Sequence, residues 1–218
     1  MKKILSNRFY LSLFLLIVVY LVGIIAVIAG MADSLMQLTP YNLLFATAIL
    51  LYNAVQINRT YLFWFALIAI AGYLLELAGI TTGIIFGTYT YGSGLGFKLA
   101  EVPLIIGINW SVLVFSTAAI LAKTAWSLPL KSAAAASMMV LYDVLLEPVA
   151  IRFDFWSWAG GPVPLQNYIA WWIIAFFMLL GMQGYVKKVS NKIAAPILIV
   201  QSVFFLILIL KEKLNIFG

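Results

Sequence analysis

The 218-residue chain is 65% hydrophobic and 9% charged, with a net charge of +6 and a mean hydropathy of +1.11, whereas soluble domains carry roughly 25% charged residues. This composition describes an integral membrane protein, read as a single membrane domain over residues 1–218. The absence of His and Cys excludes His-ligated haem, iron–sulfur clusters, the usual zinc sites and cysteine nucleophiles.

Apolar runs near the roughly 20 residues that cross a bilayer occupy 9–29, 41–57, 61–79, 102–122, 132–150, 165–186 and 194–210. They predict an all-α protein of about seven transmembrane helices. The first run is too long for a signal-peptide core, and no small-residue cleavage site follows it. The second is short and carries Asn53 and Gln56. The last has no lysine at its middle, since Lys192 and Lys211 only flank it, which argues against a retinal Schiff base there. Lys2, Lys3, Arg8, Arg59, Lys123, Lys131, Lys187, Lys188 and Lys192 fall on one side of this topology, against Lys98, Arg152, Lys211 and Lys213 on the other. That bias places the N-terminus in the cytoplasm. The basic excess therefore reads as a topology signal, with nothing suggesting nucleic-acid binding.

Within the fifth run, Asp143 and Glu147 stand at i, i+4 on one helix face. A charge inside hydrocarbon costs several kcal/mol, roughly 2.5–3.5 on insertion scales, so such groups usually serve a polar cavity, a partner or a proton. Pro148 follows directly and predicts a helix end or kink, a poor setting for a simple capping role. Two segments then share a pattern. Val102-Pro103-Leu104 is followed by Trp110, and Val163-Pro164-Leu165 by Trp171, each Trp six residues past the Leu. Ile108 and Ile169 correspond as well. Each segment follows a helix carrying a carboxylate and an aromatic-rich loop, so predicted helices 3–4 and 5–6 read as a parallel repeat of hairpins. The repeat gathers Glu76, Glu101, Asp143, Glu147, Gln166 and Asn167 into the non-cytoplasmic half. Asn109, Trp110 and Trp171 lie roughly 10 Å deeper at about 1.5 Å per residue. Residues 80–101 form a long loop with five glycines, too aromatic for a solvated linker, and predict a re-entrant or lid segment. Its Gly92-Ser93-Gly94-Leu95-Gly96 run lacks the context and spacing of a nucleotide fingerprint.

The segments ELAGITTGIIFGTYTY, VPLIIGINW, DVLLEPVAI, FWSWAGG and VPLQNYIAWW resemble, over about residues 70–175, the carotenoid biosynthesis membrane proteins that include bisanhydrobacterioruberin hydratase. The resemblance implies a hydratase that adds water across the terminal C1–C2 double bond of an acyclic carotenoid end, leaving a tertiary alcohol without a redox cofactor. By motif it implicates Glu76, Asp143 and Glu147, with Tyr89, Tyr91, Trp156 and Trp158 around them. In that family the position of Glu147 is often Asp, so this chain departs from the pattern by one methylene.

The chemistry is consistent with that resemblance. Hydrating an isolated alkene needs an acid for C2, tolerance of a tertiary cation at C1, and water delivered to the cation. Of two close carboxyls in an apolar site, one holds a proton and the other accepts one. Aromatic faces stabilise the cation without trapping it. Asp143 is the expected proton donor, Glu147 or Glu76 the water-orienting base, and Arg152 a charge that tunes them. The expected substrate-binding set is Tyr89, Tyr91, Asn109, Trp110, Arg152, Trp156, Trp158, Asn167 and Trp171. No metal and no cofactor is expected; the partners are a hydrophobic polyene, water, the bilayer and other carotenoid-pathway enzymes. Rival readings are a carotene cyclase, a polyprenyl transferase, and a non-enzymatic transporter or carotenoid-binding protein. A transferase would carry two Asp-rich magnesium sites, and only one such segment is present.

Overall fold

The computed structural model describes residues 2–214. Its elements in order are α1 (Lys2–Ile28), α2 (Ala32–Met36), α3 (Thr39–Tyr52), α4 (Arg59–Thr82), β1 (Tyr89–Tyr91), β2 (Lys98–Leu99), β3 (Val102–Pro103), α5 (Leu104–Leu121), α6 (Leu128–Arg152), β4 (Trp156–Trp158), α7 (Leu165–Tyr185) and α8 (Ala194–Leu214). Among the described residues six helices, α1 and α4–α8, are long and apolar enough to cross a membrane. This is a multi-pass membrane protein in which six of the seven predicted runs form helices of that length and the remaining one forms the shorter α3, antiparallel to α1 through Asn42–Tyr20 and Asn53–Ser12.

The difference lies at 41–57. There α3 has 14 residues, about 21 Å at 1.5 Å per residue, short of the roughly 30 Å hydrocarbon core. Pro40 sits in its first turn. At its end the Asn53 amide donates to Ser12 Oγ at 2.6 Å and to the Ile49 carbonyl at 3.0 Å. The polar residue that weakened the sequence signal thus stops α3 and ties it to α1. Of the end or kink expected at Pro148, the end does not occur, because α6 runs through to Arg152. Pro148 has no N–H to give the helix, and beyond it Phe153 N–H reaches the Val149 carbonyl at 3.0 Å.

Side-chain ties give the helix directions. Ser111 Oγ donates to the Phe65 carbonyl (2.7 Å), and Gln183 Nε2 to Ser132 Oγ (3.2 Å), so α4/α5 and α6/α7 are antiparallel pairs. Tyr142 bonds Gln201 and, further along both helices, Arg152 pairs with Glu212, while Tyr20 meets Phe204 edge-on at 5.7 Å and Lys211 bonds the Val27 carbonyl, so α8 runs parallel to both α6 and α1. Trp64 stacks on Tyr185, which sets α4 antiparallel to α7. Helix α5 lies at the centre, with nearly every residue from Ile105 to Ala119 buried. The two loops that follow α4 and α6 meet above it, where β1 and β4 pair antiparallel in the register Tyr89↔Trp158, Thr90↔Ser157, Tyr91↔Trp156.

Small residues allow the helices around α5 to approach. A Cβ on Gly107 would lie 2.4 Å from the Ala69 carbonyl oxygen, and one on Gly72 2.7 Å from Trp110 Cγ. The first obstacle is rigid backbone. Gly107→Val is therefore expected to force α4 from α5 at a cost of about 1–3 kcal/mol, read as a lower thermal midpoint of the detergent-solubilised protein. An unchanged midpoint would contradict this packing.

Candidate active site

Three carboxyls face inward from the outer turns of α4 and α6, and each needs donors because a buried polar group without them is costly. On α4, Glu76 receives Tyr89 Oη at 2.5 Å and Tyr91 Oη at 2.8 Å on Oε2, and Trp110 Nε1 at 3.0 Å on Oε1. On α6, Glu147 Oε2 receives Trp156 Nε1 and Trp158 Nε1, both at 3.0 Å. The strand pair explains this arrangement. Alternate residues of a strand share a face, so Tyr89, Tyr91, Trp156 and Trp158 all point down while Thr90 and Ser157 face outward with hydroxyls 3.3 Å apart. Asp143 lies one turn below Glu147. The Asn167 amide from α7 donates to Asp143 Oδ2 at 3.0 Å and reaches Glu147 Oε1 at 3.3 Å. Asp143 is fully buried, and its Oδ1 has no hydrogen-bond partner. Beneath the carboxyls Trp110 and Trp171 stack, ring centres 4.3 Å apart.

These groups line one cavity of about 470 Å³. It contains every residue the sequence nominated except Arg152: the three carboxyls, the Tyr and Trp pairs of the strands, Asn109, Trp110, Asn167 and Trp171. Arg152 is instead half-exposed and pairs with Asp33 at 3.3 Å and Glu212 at 3.7 Å. Lying beyond Glu147 at the end of α6, it turns toward α2 and α8 rather than the cavity. Glu101 and Gln166 are also outside, both exposed; Gln166 Nε2 caps the Ile84 carbonyl. The sequence reading missed a second polar group on the cavity wall. Asn42 Nδ2 donates to Tyr20 Oη at 2.8 Å, and Tyr142 Oη to Gln201 Oε1 at 3.0 Å. Their signal was a polar residue within an apolar run, the same signal that marked Asp143.

Residues 83–103 close over the carboxyls as a folded lid rather than a free loop. Gly92 N–H donates to the Phe155 carbonyl at 2.9 Å and Gly94 N–H to that of Asp154 at 3.0 Å. Ser93 gives both its N–H (2.8 Å) and its hydroxyl (2.9 Å) to Asp154 Oδ2, and Lys98 Nζ bonds the Tyr91 carbonyl at 2.6 Å. Burial, reinforced by the adjoining Glu76 carboxyl, pushes the Tyr89 and Tyr91 phenols up, so both remain donors across the working pH range.

Residues 38–217 match the model of a family described as carotenoid biosynthesis protein. The chain belongs to that family. It is also 27% identical over 182 residues to the bisanhydrobacterioruberin hydratase of Haloarcula japonica, a match covering 76% of this chain and 61% of that relative. The chain thus spans less than two thirds of the relative's length. No solved structure matches it.

In this member of the carotenoid biosynthesis family the lid anchor is itself titratable. The N–H and hydroxyl of Ser93 hold the Asp154 carboxyl below its usual value. A lowered native value means the anchor contributes fully above the ordinary carboxylate value of about 4 and is lost as pH falls through the lowered one. Protease sensitivity of the lid should therefore rise only in that acid window. Asp154→Asn, which suits the left-handed backbone at this position (φ 56°) but carries no charge, should be more sensitive at neutral pH and show no further acid step.

Proposed function

We propose that the protein is a carotenoid hydratase, adding water across the terminal C1–C2 double bond of an acyclic end group by carboxyl acid–base catalysis. The observation that carries this reading is the pairing of an unpartnered, fully buried Asp143 Oδ1 with a second carboxyl one helical turn away in an aromatic cavity. Asp143 protonates C2, and the positive charge develops at C1. The faces of Trp110 and Trp171 stabilise that tertiary cation, and Glu76, held by three donors, supplies a fixed countercharge. Water held at Glu147 attacks C1 and gives up a proton to Glu147. A proton then returns to Asp143, which shares the Asn167 amide with Glu147, so acid and base are both restored. In this reading the two loop-linked hairpins form a parallel repeat. Each contributes one Glu, one strand of paired aromatics and one half of the Trp stack. The Lys and Arg bias of the sequence supports a cytoplasmic N-terminus in this reading.

Among the described residues no Lys or Arg lines the cavity, which leaves the diphosphate of a polyprenyl transferase substrate without a countercharge. A cyclase would use the same acid and the same cation but lose a proton instead of gaining water. Product mass separates the two: incubation with lycopene should yield a gain of one water, and an isomer of unchanged mass would identify a cyclase. A flux that depends on a pH gradient, with no product, would identify a transporter. Hydration should persist in chelator and without oxygen, and a strict oxygen requirement would exclude a hydratase.

Two carboxyl variants test the assignment. Asp143→Asn keeps the bond to Asn167 but has no proton to give, so turnover should fall by about 100-fold or more while lycopene still co-purifies. Near-normal turnover would remove Asp143 from the mechanism. At matched membrane abundance, Glu147→Asp should retain more activity than Glu147→Gln, and the Gln variant should alter the pH profile, because the carboxyls titrate as a pair. A fully active Gln variant beside an inactive Asp variant would make Glu147 structural.

A further inference from the structure

We infer that the ligand reaches the carboxyls sideways, from the lipid, through the gap between α1 and the α2–α3 segment, and that its long apolar chain remains in that gap while only its end group enters. The chemical class is a lipid-dissolved linear isoprenoid docked end-on. This rests on the hydratase reading for the chemistry at the inner end, and it adds the route and the length requirement.

The cavity wall divides sharply by exposure. Every lining residue from Glu76 onward is buried, whether it comes from the lid or from α4–α8. The exposed lining residues are Val18, Val19 and Val22 on α1, with Leu38 and Tyr41 beside and within α3. The cavity therefore meets the outside along one side, and that side is aliphatic apart from the Tyr41 ring.

Depth decides which medium it meets. Arg152 pairs with Asp33, which sets the outer ends of α6 and α1 at one level. At about 1.5 Å per residue, Val18–Val22 lies about 9–15 Å below the end of α1, and Glu147 and Asp143 about 8–14 Å below the end of α6. Mouth and carboxyls thus share one depth, inside the hydrocarbon. Directly above the carboxyls the route to water is covered by the paired strands, whose Tyr and Trp side chains are buried against Glu76 and Glu147. A water-soluble metabolite would have to cross the aliphatic mouth, whereas a chain already dissolved in lipid needs no desolvation to enter.

Gly23 faces Leu35 and Phe204, with a Cβ there meeting Phe204 at 3.2 Å. Further in, the Asn42–Tyr20 bond of 2.8 Å joins α3 to α1 where the aliphatic mouth gives way to polar wall. An aliphatic mouth leading to a polar inner wall suits a ligand with a long apolar chain and a reacting end group.

The test uses full-length protein in liposomes with two substrates sharing the same terminal alkene, lycopene and the ten-carbon myrcene. Val22→Trp and Leu38→Trp place a large ring on opposite lips of the mouth, at positions facing lipid where folding tolerates it. Ile25→Trp, exposed on α1 but away from the cavity, is the control. Each lip variant should lose about tenfold or more in kcat/KM on lycopene, chiefly through KM, with myrcene turnover within about twofold of wild type and Ile25→Trp unchanged on both. Lycopene co-purification should fall in parallel. Wild-type rates and wild-type lycopene retention in both lip variants would overturn the inference, as would equal losses on the two substrates. If wild type hydrates neither substrate the hydratase reading fails, and lycopene retention by the lip variants still decides the route.

Discussion

Burial of three carboxyls in a helical membrane domain is the constraint on which the rest of this structure depends. Helices satisfy their own backbone in hydrocarbon but supply nothing for a side-chain carboxyl. The donors must come from elsewhere. Here the loop strands supply two tyrosines and two tryptophans, and side chains of neighbouring helices supply the Trp110 indole on α5 and the Asn167 amide on α7. None of these donors carries a charge. A lysine or arginine in their place would neutralise the cluster and repel a carbocation, whereas neutral donors hold the carboxyls in place and leave their charge and protons for chemistry.

This requirement accounts for the lid. A two-strand ribbon of three residues a side is marginal in water, and β1–β4 persists because its downward face is anchored on Glu76 and Glu147 while Asp154 and Ser93 tie its edge. The aromatics that satisfy the carboxyls also seal them from the aqueous side. One set of side chains thereby supplies hydrogen bonds, an apolar roof and ring faces, and the same roof leaves the flank toward α1 and α3 as the open side of the cavity.

Membership of the carotenoid biosynthesis family and the site geometry point the same way without depending on one another. A linear polyene is insoluble in water, reacts at its ends through tertiary cations, and needs only a proton and water for hydration. An apolar cavity at bilayer depth with close carboxyls matches those demands. The i, i+4 spacing on α6 and the amide from α7 hold the two carboxyls near each other.

The membrane class, the positions of the spanning helices and the central carboxyls could be read from the chain alone, because hydrocarbon thickness sets the length of an apolar run and a charge within one is rare enough to stand out. The Tyr-x-Tyr and Trp-x-Trp segments could be nominated from their alternation and from the resemblance. Pairing across 67 residues, from Thr90 to Ser157, is a long-range event without a local signature. The same holds for Arg152, whose nearest carboxyl in sequence is Asp154 but whose partners in space are Asp33 and Glu212. Hydropathy could not distinguish the 14-residue α3 from a full span, since Asn53 ends the helix through a bond to Ser12 on another helix. Composition along a chain decides what can be buried in lipid; which buried groups face each other, and which side of their cavity stays open, follows only from the packing of helices distant in sequence.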